Sequence, residues 1–516
     1  MFNAILLREK YLNMSRCILE VNDYLQTISL KAYSNIYFIC NEILSRNPHT
    51  NKFFHNVLFD IEPVPISFVR VGWGVCINYA RGFYTFSLYV CSYILYRLKY
   101  FSRQNLTDID LENLYIVDTF VYLNLLLDQQ DYKESYFPEL YEVLQHCGKN
   151  YIVLPRFVGR ITPNKVLQAH TILQHSPHRF LTEFDLLQWI DLLFLWWQLC
   201  LYPVHILTWL QTFPVQSRMD KLFYVELLQT LSLSPFNGFV RYVLGKRIGW
   251  LNIKKLFLVS WCENQVVDKI FNHGLKETNP SAVIFGCQSL IAYPPYMCMK
   301  ITDAEFKHHM APDILLVNGQ SYLDPSAPVP QQLGIAFRNK GVFTENIEWV
   351  SKKRITIFLS YFAQLNHEII DLCLQSPVLR TTSLIIKAHP NLLNMKKAMP
   401  SIPHAWLYTL EDRFEIIRQV AVMITSETSV AVEAAALGTS IIIIASQSTF
   451  TCNPMLEGRG EIWELVFDSQ ELDLALYKLQ EYRATHLERI QELADFYKTN
   501  CFVEPTEENI VKAFNL

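Results

Sequence analysis

Twelve cysteines are present, yet they are scattered, with no C-x-x-C pair and no close Cys/His cluster. That scatter argues for reduced thiols in a cytoplasm and against a zinc site, and it leaves most of them as core filler. No excess of one charge is found either: the formal net charge is -4 and the pI is near 6.4. A basic surface is therefore not implied, and nucleic acid is not the expected partner. Internal repeats and low-complexity tracts are also lacking. The apolar start Met1 to Leu7 is broken by Arg8-Glu9-Lys10, so no signal peptide is expected.

What the chain has is apolar bulk. With 516 residues, 51% of them apolar, it can bury two full cores, and two or three domains are expected. Aromatic residues concentrate in the first half. The run Leu192 to Leu210 is about long enough to span a bilayer and carries no Lys, Arg, Asp or Glu, but Gln198, Pro203, His205 and Thr208 interrupt it. A buried or membrane-surface helical insertion is the expected outcome, rather than a span. Phe83 to Tyr96, between Arg81 and Arg97, is too short to span.

Strand-then-helix alternation appears in two blocks. The first holds strands at Leu114–Val121, Tyr151–Leu154, Leu256–Trp261, Ala282–Phe285 and Ile314–Val317, with a helix over Tyr136–Cys147 and a mostly helical insertion at about 165–250. The second opens after the charged patch Lys352-Lys353-Arg354. It holds strands at Ile355–Leu359, Leu384–Ile386, Ala421–Ile424 and Ser440–Ile444. The expected fold class is α/β: two facing Rossmann-like domains, with a helical insertion in the first, whose opposed strand ends frame a cleft. The boundaries are 1–340 for the first domain, 341–351 for the linker, 352–500 for the second domain and 501–516 for a C-terminal tail or helix. Residues 1–110 have no firm reading beyond one candidate strand at Ile36–Cys40. Leu472–Tyr497 reads as strongly helical, and Glu507–Phe514 as a final helix packing back across the linker.

Two strand ends carry the chemistry. Leu384-Ile-Ile-Lys387-Ala-His389-Pro390 closes an apolar strand with a cation and an imidazole, and the proline holds the histidine's backbone extended. Some 35 residues on, Ala421–Ile424 runs into Thr425-Ser426-Glu427-Thr428-Ser429 and then a helix closed by Gly438. Hydroxyls and helical N–H groups converging there suit phosphate, although helix capping is the commoner role of such residues. Glu433 has apolar neighbours on most sides, which makes a fully solvated position less natural. In the first block, Glu263 at the end of its strand is the candidate general base, with Asp118 in reserve. An N-cap-region carboxylate is an equal reading of Glu263. Asn264, Gln265, Gln288 and Asn318 fall at the same edge, where their amides suit sugar hydroxyls.

The run Ser429-x-x-x-Glu433-Ala-x-x-x-Gly438 resembles the donor-site signature of GT-B glycosyltransferases, which implies a Glu on the ribose hydroxyls of a nucleotide. Lys387-x-His389-Pro390, followed by Ser426 to Ser429, resembles the HP and Ser/Thr motifs of bacterial sialyltransferases, polysialyltransferases and capsule transferases. A CMP-activated donor is implied by that resemblance. The Trp261-x-Glu263-Asn264-Gln265 element, Phe285-Gly286-x-Gln288, and Asp118-Thr-Phe with Tyr136-Phe-Pro138 look like bacterial surface-carbohydrate (O-antigen-type) biosynthesis proteins. The acidic D/E-D/E-G triplet of the CMP-sialic acid enzymes is missing. Asp108-Ile109-Asp110 fits the Asp-x-Asp of GT-A enzymes but lies ahead of a strand, and reads as a solvated turn. The expectation is a metal-independent glycosyltransferase without cofactors, cytoplasmic or on the inner face of the membrane. Its donor binders are Lys387, His389, Thr425, Ser426, Thr428, Ser429 and Glu433. Its partners are a nucleotide-sugar donor and a surface polysaccharide or lipopolysaccharide acceptor, with peripheral membrane contact. A nucleotide-sugar 2-epimerase and a non-catalytic polysaccharide assembly factor remain as alternatives.

Overall fold

A computed structural model describes residues 2–64, 66–100, 112–288, 290–291, 293–344, 349, 352–389 and 402–516. Asp108 to Asp110, Pro390 and most of the 341–351 linker lie outside the described residues.

Among the described residues twelve strands form two parallel sheets. The first sheet holds β1 (Asn113–Tyr122), β2 (Asn150–Val158), β3 (Lys255–Trp261), β4 (Val283–Gln288), β5 (Ile314–Val317) and β6 (Gln331–Leu333), in the order β2-β1-β3-β4-β5-β6. The second holds β7 (Arg354–Phe358), β8 (Leu384–Lys387), β9 (Trp406–Thr409), β10 (Val420–Thr425), β11 (Ser440–Ile444) and β12 (Trp463–Val466), in the order β12-β11-β10-β7-β8-β9. Each sheet lies among helices and both are doubly wound, so the chain contains two Rossmann-like domains. The central strands read as near-continuous apolar runs because both faces are covered. β10 and β11 are buried at every residue.

Strand order fixes where a ligand can sit. In the second sheet the winding starts at β7, proceeds outward to β8 and β9, and then reverses to β10 on the other side of β7. Carboxyl ends of neighbouring strands diverge at such a reversal and leave a crevice. The equivalent reversal in the first sheet falls between β1 and β3.

The N-terminal region differs from expectation. Ile36–Ile39 is a turn of helix, because the Asn35 side chain accepts a hydrogen bond from the Tyr37 amide at 3.0 Å and starts it. Two long helices, Phe2–Ala32 and Phe68–Tyr100, dominate the region, and Phe83 to Tyr96 is part of the second. They pack on the helices spanning 163–249 around an aromatic core that includes Phe38, Phe53, Tyr93, Tyr202, Phe223 and Phe239. Arg46 anchors this layer to the first sheet's flank. Its guanidinium binds both oxygens of Glu305 at 2.8 and 2.9 Å, and Lys269 Nζ adds 2.6 Å to Oε1. All three side chains are at most 1% exposed.

Helix Trp189–Thr212 contains the apolar run and is, among the described residues, the one helix long and apolar enough to cross a membrane. Gln198, Tyr202, Pro203 and Leu210 face inward, while Trp189, Ile190, Leu193, Trp196 and Trp197 are exposed.

The patch that opens the second block is only partly a surface one. Lys352 is buried and its Nζ donates to Leu437 O at 2.7 Å, Ile417 O at 3.1 Å and Thr439 Oγ1 at 3.1 Å. Burial, and secondarily Arg483, pushes its ammonium down to about 7. Beside it Gly438 holds φ +73°, and a Cβ there would lie 2.0 Å from the Trp349 ring, so no other residue closes this helix without displacement.

Past helix Leu487–Cys501 the chain returns to the first domain. Ala336 N donates to Val503 O at 2.9 Å, and helix Glu507–Phe514 buries Ile510, Ala513 and Phe514 against Tyr115, Val117 and Phe285.

Candidate functional site

A cavity of about 330 Å³ lies at the reversal point of the second sheet. Its walls come from the ends of four adjacent strands. Phe358 ends β7 and Leu359 follows it, Lys387 ends β8 ahead of Ala388 and His389, Leu410 to Arg413 follow β9, and Thr428 to Val430 follow β10. The first domain closes it with Leu290, Ile291, Arg338 and Asn339. The crevice is therefore interdomain and lies where topology requires one.

Five of the seven expected donor residues line it: Lys387, His389, Thr428, Ser429 and Glu433. Thr425 and Ser426 do not. Thr425 is fully buried and its hydroxyl donates to Phe358 O at 2.9 Å, tying β10 to β7, so it is a sheet residue and not a ligand contact. Ser426 is 2% exposed beneath the turn. The helix that follows, Val430–Ala436, has seven residues, so its dipole adds less than the sequence pattern suggests.

Lys387 and Arg338 give the cavity cations suited to an anion, and Glu411 and Asp412 line it as well. Lys387 Nζ donates to the neighbouring Ala388 carbonyl at 3.3 Å and is otherwise turned to a site shared with His389 and Arg338. Burial lowers the Lys387 ammonium from its ordinary value, with Asp412 opposing that effect. The His389 imidazole is lowered by burial, then by the charges of Lys387 and Arg338. It packs edge-on to Tyr361 at 5.4 Å. A phosphate arriving here meets cations already held in a partly dry pocket, where each is worth more than in water.

Glu433 is only 3% exposed and is bound on both oxygens. Asn339 Nδ2 donates to Oε1 at 2.8 Å and Arg413 Nε to Oε2 at 2.6 Å, while Arg413 Nη2 donates to Arg338 O at 2.7 Å. A carboxylate oxygen can still accept a further hydroxyl through its second lone pair. Its observed work is to join the two domains across the cavity floor.

The first-domain candidates are placed differently from expectation. Asp118 lies inside β1, fully buried, with Arg241 Nη2 at 2.6 Å and an Arg156 Nη2 contact, and Arg156 reaches Asp268 at 2.6 Å. Although burial opposes it, these two guanidiniums hold the Asp118 carboxyl below its usual range, so it is a structural anion and not a base. Asn264 donates to Cys298 O at 2.9 Å and to Glu305 Oε2 at 3.1 Å, and Gln288 donates to Met299 O at 2.9 Å. Asn318 donates to Cys501 O at 3.4 Å, where Gly319 lies so close to the end of helix Leu487–Cys501 that a Cβ would meet Cys501 C at 2.3 Å. Gln265 Oε1 accepts from Asn47 at 3.1 Å. These amides brace loops around the first sheet, and none lines the cavity. Glu263 also lies outside the lining, but Trp261 Nε1 donates to it at 2.9 Å and the Arg338 guanidinium stacks 5.4 Å over that same indole. Burial raises the Glu263 carboxyl above its ordinary value.

Sequence reasoning missed Arg338, Asn339, Glu411, Asp412 and Arg413. The last three follow β9, a strand too short and too mixed to be read as one, and the first two belong to a loop whose role depends on domain docking.

No protein-family model matches the sequence, and no curated protein does. Among solved structures the chain is similar to a Listeria monocytogenes protein described as a UDP-N-acetylglucosamine 2-epimerase, at 10% identity over 77% of this chain and 94% of that one, with a TM-score of 0.42. It is also similar to MurG of Acinetobacter baumannii, at 8% identity over 78% and 99%, TM-score 0.39. The wall teichoic acid polymerase TagF matches at 11% identity over 85% and 96%, TM-score 0.36. This likeness is one of chain path and does not reach the level of a site.

Proposed function

We propose that this chain is a GT-B-type glycosyltransferase that moves a sugar from a nucleotide donor to a surface polysaccharide or lipopolysaccharide acceptor. The observation that carries this reading is the gathering of Lys387, His389, Arg338 and the Thr428-Ser429 turn around one interdomain cavity at a strand-order reversal. Lys387 and Arg338, joined by His389 once it takes up a proton, offset charge growing on the departing nucleotide phosphate, which supports a metal-independent transfer. The resemblance of Lys387-x-His389 to sialyltransferase-type motifs favours a CMP-activated acidic sugar. Trp189, Ile190, Leu193, Trp196 and Trp197, exposed on one helix, together with Phe68, Val69 and Trp73 on the helix packed beside it, suit contact with the inner membrane surface.

Calorimetric titration with CMP, UDP and GDP tests the reading. One of them binds with an affinity that His389→Ala weakens, and binding of none would favour a scaffold. Because His389 is lowered below 6.5, the free protein holds it mostly neutral at pH 7, and a phosphate raises its affinity for a proton. Nucleotide binding near pH 6 is therefore accompanied by proton uptake, read from titrations in buffers of differing ionisation enthalpy. The same shift makes folding stability fall as pH drops below about 6.5, where the unfolded chain takes up the proton first.

Glu263 serves as the base that accepts the acceptor hydroxyl proton. A carboxyl raised by burial is better matched to proton transfer near neutrality than an ordinary one. Glu263→Gln is expected to lower kcat about a hundredfold with nucleotide affinity retained. Wild-type turnover in that variant would remove Glu263 from the mechanism. Product analysis with donor alone separates transfer from 2-epimerisation.

A further inference from the structure

A second cluster of reactive side chains lies behind the Thr428-Ser429 turn and outside the cavity lining, where the N-terminal region meets the second domain. His49 belongs to the loop that follows the Arg46 anchor, Glu427 to the turn after β10, and Cys452 to the segment after β11. One nitrogen, one oxygen and one sulfur from these residues all lie within 4.8 Å of one another. His49 Nε2 is 3.0 Å from Glu427 Oε1. Neither His49 Nε2 nor Glu427 Oε2 makes a hydrogen bond, although both atoms are buried. Glu427 is 6% exposed and Cys452 is fully buried. The buried Glu427 Oε2 makes no hydrogen bond, and the 3.0 Å approach to Glu427 Oε1 is what His49 Nε2 has in place of water, so the pair is under-satisfied as it stands.

We propose that His49, Glu427 and Cys452 bind a divalent cation of borderline softness, Zn²⁺ in the first instance, which staples the N-terminal region to the second domain. The mixed N, O and S donor set suits Zn²⁺, whereas Mg²⁺ and Ca²⁺ take oxygen alone. Outer groups that orient the ligands are in place. Tyr296 Oη donates to Glu427 Oε1, and the His49 ring stacks on Phe362 at a centroid distance of 4.3 Å. On binding, the sulfur–metal bond forms as the thiol proton leaves to solvent, so affinity weakens as pH falls. His49 also lines a separate open cavity of about 450 Å³ with Arg70, Trp73 and Glu226, which gives an ion a route in.

The site goes beyond the proposed glycosyl transfer and does not depend on it. The full-length protein, purified, treated with chelator and dialysed against Zn²⁺, is expected to retain about one ion per chain by elemental analysis. His49→Ala and Cys452→Ser lower that content at least tenfold. Co²⁺ in place of Zn²⁺ gives a thiolate-to-metal charge-transfer band in wild type that Cys452→Ser lacks. Chelator lowers Tm by several degrees in wild type and leaves the Tm of Cys452→Ser unchanged. Zn²⁺ at background level in wild type overturns the proposal, as does bound metal that survives both substitutions. Should either variant fail to fold, the wild-type Co²⁺ spectrum decides alone: a thiolate band supports the site and its absence refutes it.

Discussion

Glu305→Ala is expected to destabilise the protein by about 3–5 kcal/mol, the typical cost of removing one partner from a buried ion pair. The substitution leaves Arg46 and Lys269 buried with no counter-charge, and it also strips the acceptor from Asn264 Nδ2 and from the Thr302 amide at 2.9 Å. Arg46 keeps hydrogen bonds to Met297 O at 2.8 Å and Lys300 O at 2.6 Å, but carbonyls do not neutralise a guanidinium. Acid should produce the same loss in the wild type. Although desolvation raises the Glu305 carboxyl, Arg46 and Lys269 win and hold it at about 2, against an ordinary 4.5. A depressed carboxyl contributes stability that is complete above pH 4.5 and disappears as pH falls towards 2, and this shift corresponds to roughly 3 kcal/mol. Denaturant unfolding across that window, on wild type and Glu305→Ala, checks both statements. A variant that unfolds at the wild-type midpoint would show that this cluster does not anchor the N-terminal layer.

Replacing Lys387 and His389 together by alanine is expected to lower kcat/KM by about 10³ or more, since one preorganised donor at a developing charge is typically worth 10²–10³. Lys387 ends β8, His389 follows it and both line the cavity, so the truncations remove a cation and an imidazole from the site without opening the core. The thermal midpoint should stay level or rise, because burying Lys387 carries a desolvation cost that alanine does not. The split between parameters is informative. If the cations act on the leaving phosphate, kcat falls more than KM rises, and a pure KM effect would reduce them to ground-state binders. Unchanged kcat/KM in the folded double variant would take the donor site elsewhere.

How much of this was legible in the sequence depended on burial and range. β7, β10 and β11 were readable because strands covered on both faces are apolar end to end, and the polar residues that stop them stand out. β6, β9 and β12 are three or four residues long with exposed or half-buried positions, so they carry no such contrast, and Glu411, Asp412 and Arg413 were lost with β9. Asp118 looked like a catalytic carboxylate because its partners, Arg156 and Arg241, are 38 and 123 residues away. Amides at strand ends were read as facing a ligand, whereas Asn264, Gln288 and Asn318 spend their donors on nearby backbone. The first hundred residues gave little because their helices bury aromatic and polar side chains together, without a clean apolar stripe. Nor could any spacing rule unite His49 with Glu427 and Cys452.

The return of the chain at Phe502 also has a mechanical side. The second domain is joined to the first at the segment after Lys340 and again where Val503 meets Ala336, while Ala4 and Leu7 of the first helix lie in the second domain's core and Arg8 pairs with Glu471 at 2.7 Å. A body moored at several points cannot spin freely against its neighbour. Widening of the cavity must break or carry along those contacts, and a chain cut before Phe502 would lose the Val503 mooring and bare the apolar flank of β1 and β4.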